Sequence, residues 1–290
     1  MSGVCVCVLA CGRRDYYRSA RQAALSVLER SELDLFVVHG RLGPLRLPRE
    51  RVTQVAIPEA PAERGRAGPF LAKLDALAAC LGGSRAPALL LLDSDAVFVG
   101  RIDESMVMAA LAGRELAMAE QTTITRSGWT RRELRDHFIT HSLAFLAPGA
   151  AAPPLEEFRF YNSGVVLGTR AGLLSFTSWA RETRRARDAA HTIGAHMIAD
   201  QDYFQVWANT IRPGACATLS WHWNHCEHWD EDFPRAGVLI AHLSNFCQGP
   251  GRRQRLRMLA LRRTSFRDGR AVGPWGFIAR HNPWARRALR

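Results

Sequence analysis

Strand-like apolar runs recur along the chain, and stretches with helical spacing separate them. The run from Ala88 to Leu92 is the clearest, because five apolar residues without alternation are typical of a central strand covered on both faces. The other strand-like runs are Val4 to Ala10, Leu33 to Val38, Val52 to Ile57, Ala96 to Val99, Leu116 to Ala119, the apolar end of Phe160 to Thr169, and Val238 to Ala241.

Helical spacing between these runs completes an alternating order. The predicted helices are Tyr16 to Leu28, Phe70 to Leu81, Met106 to Leu111, Trp129 to His141, Leu173 to Arg187 and a helix that starts in Ile198 to Ala208. Alternating strands and helices predict an α/β fold with a central, mainly parallel sheet flanked by helices. No linker separates two domains, so we expect one domain over residues 1–250 and an Arg-rich extension over 251–290.

Composition agrees with a globular chain. Of 290 residues, 47% are hydrophobic and 23% are charged, which is ordinary for a folded protein. No apolar run is long enough to predict a membrane-spanning helix, and the apolar start lacks the basic residues of a signal peptide. The seven cysteines contain no C-x₂-C pair, which favours reduced thiols and a cytoplasmic protein.

The net charge of +12 is concentrated at the carboxyl end. Residues 252–290 contain twelve arginines and one acidic residue, Asp268. This extension is suited to phosphates, an acidic partner or the inner surface of an anionic membrane, and a solvated extension without a partner is the alternative. No basic stripe interleaved with aromatic residues is present, so we expect no nucleic-acid partner.

Asp93-Ser94-Asp95 directly follows the clearest strand. Two carboxylates beside a buried sheet are costly unless a cation lies between them, and residues i and i+2 of an extended backbone point to the same side. Hard oxygen ligands suit Mg²⁺ or Mn²⁺, and the carboxyl end of a strand is where open α/β sheets bind ligands. An ordinary turn after the strand is the alternative interpretation.

Three further motifs follow in a fixed order, and together the four resemble the GT-A glycosyltransferases. They are Asn162-Ser163-Gly164-Val165, Asp200-Gln201-Asp202 and an apolar strand that ends in His242. The resemblance is closest to the retaining enzymes of glycosyltransferase family 8 and their bacterial relatives, and it extends from Val4 to about Gln248. It implies a single GT-A (Rossmann-like) domain.

The resemblance implies a metal-dependent transfer from a nucleotide-diphosphate sugar. Asp93, Asp95 and His242 would bind Mn²⁺ or Mg²⁺ at the donor's phosphates, with the ribose near Asp95. Asn162 and Asp200 would contact the donor sugar. The remaining residues implied in catalysis or donor binding are Gln201, near the anomeric carbon, and Ala10, Tyr16, Lys73, Ser94 and Ser163.

Each of these roles has a structural alternative. Asn162-Ser163-Gly164 also suits a turn into a strand, and Asp200 with Asp202 suits the first turn of a helix. Lys73 is the single lysine of the chain and also suits a helix surface. Tyr16 could equally serve packing.

Two departures from the family pattern concern the nucleotide. Asn245 and Gln248 stand where family members have a glycine and a lysine at the pyrophosphate, and Arg252 and Arg253 are candidates to supply that charge. The first strand ends in Ala10-Cys11 instead of a polar pair that recognises the base. A UDP-sugar is therefore only the default donor.

The resemblance implies retention, and for a retaining reaction the poor nucleophilicity of Gln201 favours same-face attack over a covalent intermediate. An inverting enzyme would need a carboxylate general base, for which Asp202, Glu227 and Asp230 are candidates. The acceptor stays open among small molecules, glycans and peptides, and a homodimer stays open as well.

A second kind of site is suggested by the segment that contains His222, His225, Cys226 and His228. These residue types suit zinc, although the spacing is wrong for a zinc finger. The same segment could line an acceptor pocket, with Trp223 stacking on a sugar ring, or its tryptophans could simply pack. The alternative functions are accordingly a nucleotidyltransferase and a sugar- or nucleotide-binding module with a zinc-binding loop.

Overall fold

The structure is a computed structural model that describes residues 2–58, 68–121, 129–187, 198–226 and 237–243, with short segments at 258–259, 262, 265–267 and 270–272. Within these ranges the helices are α1 (Arg14–Arg30), α2 (Gly68–Gly83), α3 (Glu104–Leu111), α4 (Arg131–His137), α5 (Ala144–Leu146), α6 (Arg170–Arg187) and α7 (Asp200–Val206). The strands of the largest sheet are β1 (Val4–Ala10), β2 (Asp34–His39), β3 (Val52–Ala56), β4 (Ala88–Leu92), β6 (Leu116–Glu120), β7 (Tyr161–Thr169) and β8 (Cys216–Leu219).

The largest sheet has the order β3-β2-β1-β4-β7-β6-β8. Its first four strands are mutually parallel, and β8 is parallel to β6, whereas β7 runs antiparallel to both of its neighbours. The α/β fold with a mainly parallel central sheet is thus confirmed.

Strand β1 shows why the centre of the sheet carries continuous apolar runs. Its alternate residues Val4, Val6 and Val8 are fully buried in the core that includes the apolar face of α1. Cys5 and Cys7 point to the opposite core, which includes α2. Both faces of the strand are covered, so neither face needs polar residues.

A smaller sheet places the last predicted motif against the first. It contains β5 (Ala96–Phe98), β9 (His225–Cys226) and β10 (Ile240–His242) in the order β5-β10-β9. His242 pairs with Ala96 in antiparallel register and with Cys226 in parallel register. The small sheet therefore brings His242 beside the residues that follow β4.

Two predicted helices continue as π-helical turns. Helix α4 passes into Phe138–Leu143 and α7 passes into Trp207–Ile211. The start of α4 is fixed by a capping box, in which Thr130 Oγ1 accepts from the backbone N–H of Glu133 and the Glu133 carboxylate accepts from that of Thr130. Apolar spacing does not reveal the wider π turns, because the one extra residue per turn changes the periodicity only locally.

The basic extension contacts the domain at two described positions. Met258 is fully buried in the core beside α1, and the Arg262 guanidinium lies 2.8 Å from the Glu29 carboxylate. A short hairpin follows, with β11 (Ser265–Arg267) paired to β12 (Arg270–Val272). At Met258 and Arg262 the chain packs on the domain and does not extend into solvent. Apart from 258–259, 262 and the two strands of this hairpin, the residues of the predicted extension lie outside the described residues, Arg252 and Arg253 included.

Two further findings concern the whole described chain. None of its helices is long and apolar enough to cross a membrane. Its cysteines, six within the described ranges, are all free thiols.

Candidate functional site

Asp93 and Asp95 lie in a turn between the two sheets. The Asp93 N–H still donates to the Gly164 carbonyl over 2.9 Å, and the Ala96 N–H then donates to the Asp93 carbonyl over 3.1 Å. The expected extended backbone is therefore wrong here, because the chain must leave β4 and enter β5 within three residues. Ser94, which separates Asp93 from Asp95 in the sequence, is half-buried.

Both carboxylates nevertheless face the same imidazole. His242 Nε2 lies 3.4 Å from Asp95 Oδ1 and 3.8 Å from Asp93 Oδ2. Ligand atoms of all three residues lie within 4.8 Å of one another, and among the described residues no other group of this kind occurs. His242 is buried, whereas the Asp93 and Asp95 side chains keep 30% and 22% exposure, so the group is open on its carboxylate side. Two carboxylates and one imidazole fit Mn²⁺ or Mg²⁺.

Lys73 joins this group to a second carboxylate. From α2 its Nζ lies 2.6 Å from Asp93 Oδ1 and 3.0 Å from Asp200 Oδ2, and it donates to the Ser163 carbonyl over 2.5 Å. The lysine is only 5% exposed, so the helix-surface alternative is wrong. Burial by itself lowers the pKa of Lys73, but Asp200 and Asp93 outweigh it and raise the pKa above its ordinary value. The buried ammonium stays charged.

The two carboxyls of the turn differ in acidity. Burial raises the pKa of Asp93, and Lys73 and His242 only partly offset this. Burial acts on Asp95 in the same direction, but there His242 prevails and holds the pKa of Asp95 below its usual value. Asp95 is therefore ionised at neutral pH.

Asn162, Ser163 and Gly164 belong to the start of β7, so the turn interpretation is wrong. Ser163 Oγ donates to Asp200 Oδ2 over 2.8 Å, and Asn162 Nδ2 lies 3.5 Å from Gln201 Oε1. The second and third motifs thus contact each other. All these side chains lie at the end of the sheet where β4 terminates.

Gly164 is required by the position of His242. A Cβ atom at residue 164 would lie 2.1 Å from Cε1 of His242 and 2.9 Å from Oδ1 of Asn162. A side chain at residue 164 would fit only if the His242 ring moved. Gly164, in the second motif, therefore provides the space that the imidazole of His242, the fourth motif, occupies.

Asp200 and Asp202 have different roles in α7. Asp202 Oδ2 accepts from the backbone N–H of Ala199 over 2.8 Å, and its Oδ1 accepts from Ser142 Oγ over 2.5 Å. Burial raises the pKa of Asp202 despite these bonds. Asp202 thus fits the helix N-terminal interpretation, whereas Asp200 belongs to the lysine network. The other general-base candidates, Glu227 and Asp230, lie outside the described residues.

The His- and Cys-rich segment separates into two places. Cys226 Sγ lies 3.4 Å from His242 Nδ1, whereas the rings of His222 and His225 pack against Trp221 at centroid distances of 3.9 Å and 5.5 Å. His222, His225 and Cys226 therefore do not converge as zinc ligands, and His228 lies outside the described residues.

Trp223 packs in the core. Its ring is only 7% exposed and belongs to the hydrophobic core that includes β5 and β10, so the packing alternative describes it. Of the two described indoles in this segment, Trp221 is the exposed one, at 38%.

Asn224 is the site residue that the sequence did not indicate. It is 5% exposed, its Oδ1 lies 3.0 Å from His242 Nδ1, and its Nδ2 donates to Asn162 Oδ1 over 2.7 Å. An asparagine among tryptophans and histidines carries no distinctive local pattern. Its burial between two motifs distant in sequence is the only signal, and that signal exists only in three dimensions.

The end of β1 and the residues that follow it lie one strand away from Asp93. Ala10 is buried, and its carbonyl accepts from the Gly40 N–H over 2.9 Å. Gly12 adopts φ of +79°, and Tyr16 is half-buried beside it in the first turn of α1. Since β1 and β4 are adjacent and parallel, Ala10 and the turn that leads to Tyr16 lie at the same end of the sheet as Asp93. Ala10 and Tyr16 stay candidates for the nucleotide side of the site.

Comparison with known proteins identifies the fold. No protein-family model and no curated protein matches the sequence. Among solved structures, mouse xyloside xylosyltransferase 1 in its apo form superposes with a TM-score of 0.51 at 16% identity, over 85% of this chain and 98% of that one. The chain has the GT-A fold.

Two other solved structures agree. The galactosyltransferase LgtC, in complex with donor and acceptor sugar analogs, matches at 12% identity with a TM-score of 0.52, over 89% of this chain and 95% of that one. The bifunctional glycosyltransferase WbbM matches at 12% identity with a TM-score of 0.54, over 84% of this chain and 46% of that one. At such low identity the likeness defines the fold, which confirms the predicted architecture, and the reaction must be argued from the site.

Proposed function

We propose that this protein is a metal-dependent glycosyltransferase. In this proposal it moves a sugar from a nucleotide-diphosphate sugar, with a UDP-sugar as the default donor, to a hydroxyl acceptor and retains the anomeric configuration. The observation that carries the proposal is the convergence of Asp93, Asp95 and His242 at one edge of a GT-A fold. Lys73 links Asp200 to Asp93 of that group, and Asn224 links Asn162, which faces Gln201, to His242.

Asp93, Asp95 and His242 would hold Mn²⁺ or Mg²⁺. The bound ion supplies Lewis-acid neutralisation of the charge that develops on the departing diphosphate. Lys73 Nζ pairs with Oδ1 of Asp93, and Oδ2 of the same carboxylate faces His242. The lysine thereby holds the Asp93 carboxylate from its buried side, and it stays a candidate for donor binding.

Asp200 and Gln201 are the residues proposed to meet the donor sugar. Lys73 and Ser163 both bond Oδ2 of Asp200, which orients Oδ1 for a sugar hydroxyl. Gln201 carries an amide that cannot serve as an efficient nucleophile. We therefore favour same-face attack: the acceptor oxygen bonds to the anomeric carbon as the bond to the phosphate oxygen breaks, and that phosphate oxygen takes the acceptor's proton. The transition state is oxocarbenium-like.

A thermal-shift experiment tests the donor site. We expect UDP or GDP to raise the melting temperature of the wild type only when Mn²⁺ is present, and we expect Asp95→Ala to lose this shift. A ligand at one hundred times its Kd adds about 2.7 kcal/mol of stability. Asp103→Ala is the matched control, because Asp103 is an exposed helix cap away from the site. If no nucleoside diphosphate shifts the wild type with either metal, the proposal is overturned.

Product analysis distinguishes the proposed glycosyltransferase from the alternative function, a nucleotidyltransferase. A glycosyltransferase releases a nucleoside diphosphate from the donor, whereas a nucleotidyltransferase consumes a nucleoside triphosphate and a sugar phosphate.

The acceptor stays open, and the cytoplasmic location stays a prediction. Neither a homodimer nor membrane contact through the basic extension has support from the described residues.

A further inference from the structure

Asn224 connects the proposed metal ligands to the proposed sugar contacts. It follows the 3-10 turn Trp221–Trp223 and precedes β9, and it is almost completely buried. One end of its amide faces His242 and the other faces Asn162. A single side chain thus spans the two halves of the site.

One backbone donor determines the direction of every hydrogen bond in this chain of groups. The Gly164 N–H donates to Asn162 over 2.8 Å, so the Asn162 atom at that position is the oxygen. The Asn224 atom that faces the same oxygen at 2.7 Å must then be its NH₂ group. Oδ1 of Asn224 consequently faces His242 Nδ1, and Nδ1 carries the hydrogen.

The thiol of Cys226 is consistent with this assignment. Its Sγ lies 3.5 Å from Oδ1 of Asn224 and donates to it weakly. Two donors, one from an imidazole and one from a thiol, therefore converge on the Asn224 carbonyl. Nε2 of His242 is left to face Asp93 and Asp95, where a bound metal ion would take the place of its proton.

We propose that Asn224 is a positioning residue that holds His242 in its Nδ1–H tautomer for metal binding and fixes the Asn162 amide for the donor sugar. This inference rests on the proposed function. A metal-binding histidine commonly gives its second ring N–H to a fixed acceptor, and removal of that acceptor costs about 10- to 100-fold in metal affinity.

The test measures Mn²⁺ affinity from the electron paramagnetic resonance signal of free Mn²⁺, with melting temperature as the check on folding. Asn224→Ala should weaken Mn²⁺ binding about 10- to 100-fold. Asn224→Asp should keep Mn²⁺ affinity within about threefold of the wild type, because one carboxylate oxygen still accepts from Nδ1 of His242, although the other oxygen loses the hydrogen bond to Oδ1 of Asn162. Rescue by Asp and not by Ala separates an orienting role from a merely structural one.

Asn209→Ala is the matched control. Asn209 is also a buried asparagine, but it bonds to Arg159 and Gln205 and should lose stability without losing Mn²⁺ affinity. If the wild type does not bind Mn²⁺, the proposed function fails. If the wild type binds and Asn224→Ala binds equally well, only the inference about Asn224 is overturned. Should Asn224→Ala not fold, Asn224→Asp decides: an affinity as low as that of His242→Ala overturns the inference, and retained affinity supports it.

Discussion

The substitution Lys73→Met removes the buried cation that joins the two halves of the site. Methionine has a similar length and no charge, so the change leaves Asp93 and Asp200 without the ammonium that lies 2.6 Å and 3.0 Å from them. Asp200 is only 4% exposed, so water cannot replace the lost partner. Breaking a buried ion pair from one side costs about 3 to 5 kcal/mol.

We expect the free energy of unfolding of Lys73→Met to fall by about that amount, which corresponds to a drop of about 10 °C in melting temperature for a domain of this size. Mn²⁺ should stabilise the variant more than the wild type, because the substitution leaves one more net negative charge beside the proposed ligands. Denaturant titration with and without Mn²⁺ measures both effects.

Arg184→Met provides the comparison. Arg184 pairs with Asp75 at 2.9 Å, but Asp75 is half exposed, and a pair of this kind contributes at most about 1 kcal/mol. A loss as small as this in Lys73→Met would refute the view that Lys73 compensates buried charge. A large loss that Mn²⁺ does not reduce would refute its coupling to the metal ligands.

Two other predictions concern the same network. Gly164→Ala should move the His242 ring by about 1 Å, because a Cβ at residue 164 would lie 2.1 Å from Cε1 of His242. We expect a Mn²⁺ titration to show an affinity that is about 10- to 100-fold weaker. An unchanged affinity would show that the ring adapts freely. Lys73, the single lysine, should resist acetylation in the native protein and react after denaturation; mass spectrometry of the peptide that contains it measures this, and rapid native labelling would contradict its burial.

The sequence predicted those elements whose signal is local. Continuous apolar runs identified β1 and β4, because both faces of these strands are buried and no polar residue interrupts them. The antiparallel direction of β7 and the separate small sheet were not predictable in this way. Both depend on which distant segment pairs with which, and β10 contributes only three residues to that signal.

The residues of the site likewise divide into those that a local sequence pattern indicates and those that it does not. Asp93, Asp95 and His242 were predicted as one group, and they do lie together. The sequence assigned no contact to Asn224, and its local pattern did not exclude a surface position for Lys73. Both residues act through contacts with groups that are distant in the chain, at separations of 62 residues for Asn224 with Asn162 and 90 for Lys73 with Ser163.

Lys73 and Asn224 together explain why the motifs occur as a set. Lys73 binds a carboxylate of the first motif and one of the third, and Asn224 binds the amide of the second and the imidazole of the fourth. A displacement of any one motif would therefore leave a buried charge or a buried amide without its partner, which is costly. The energetic requirement to satisfy these buried groups holds the four motifs in one geometry. That same geometry brings the carboxylates of Asp93 and Asp95 together with the imidazole of His242, so that their ligand atoms lie within 4.8 Å of one another.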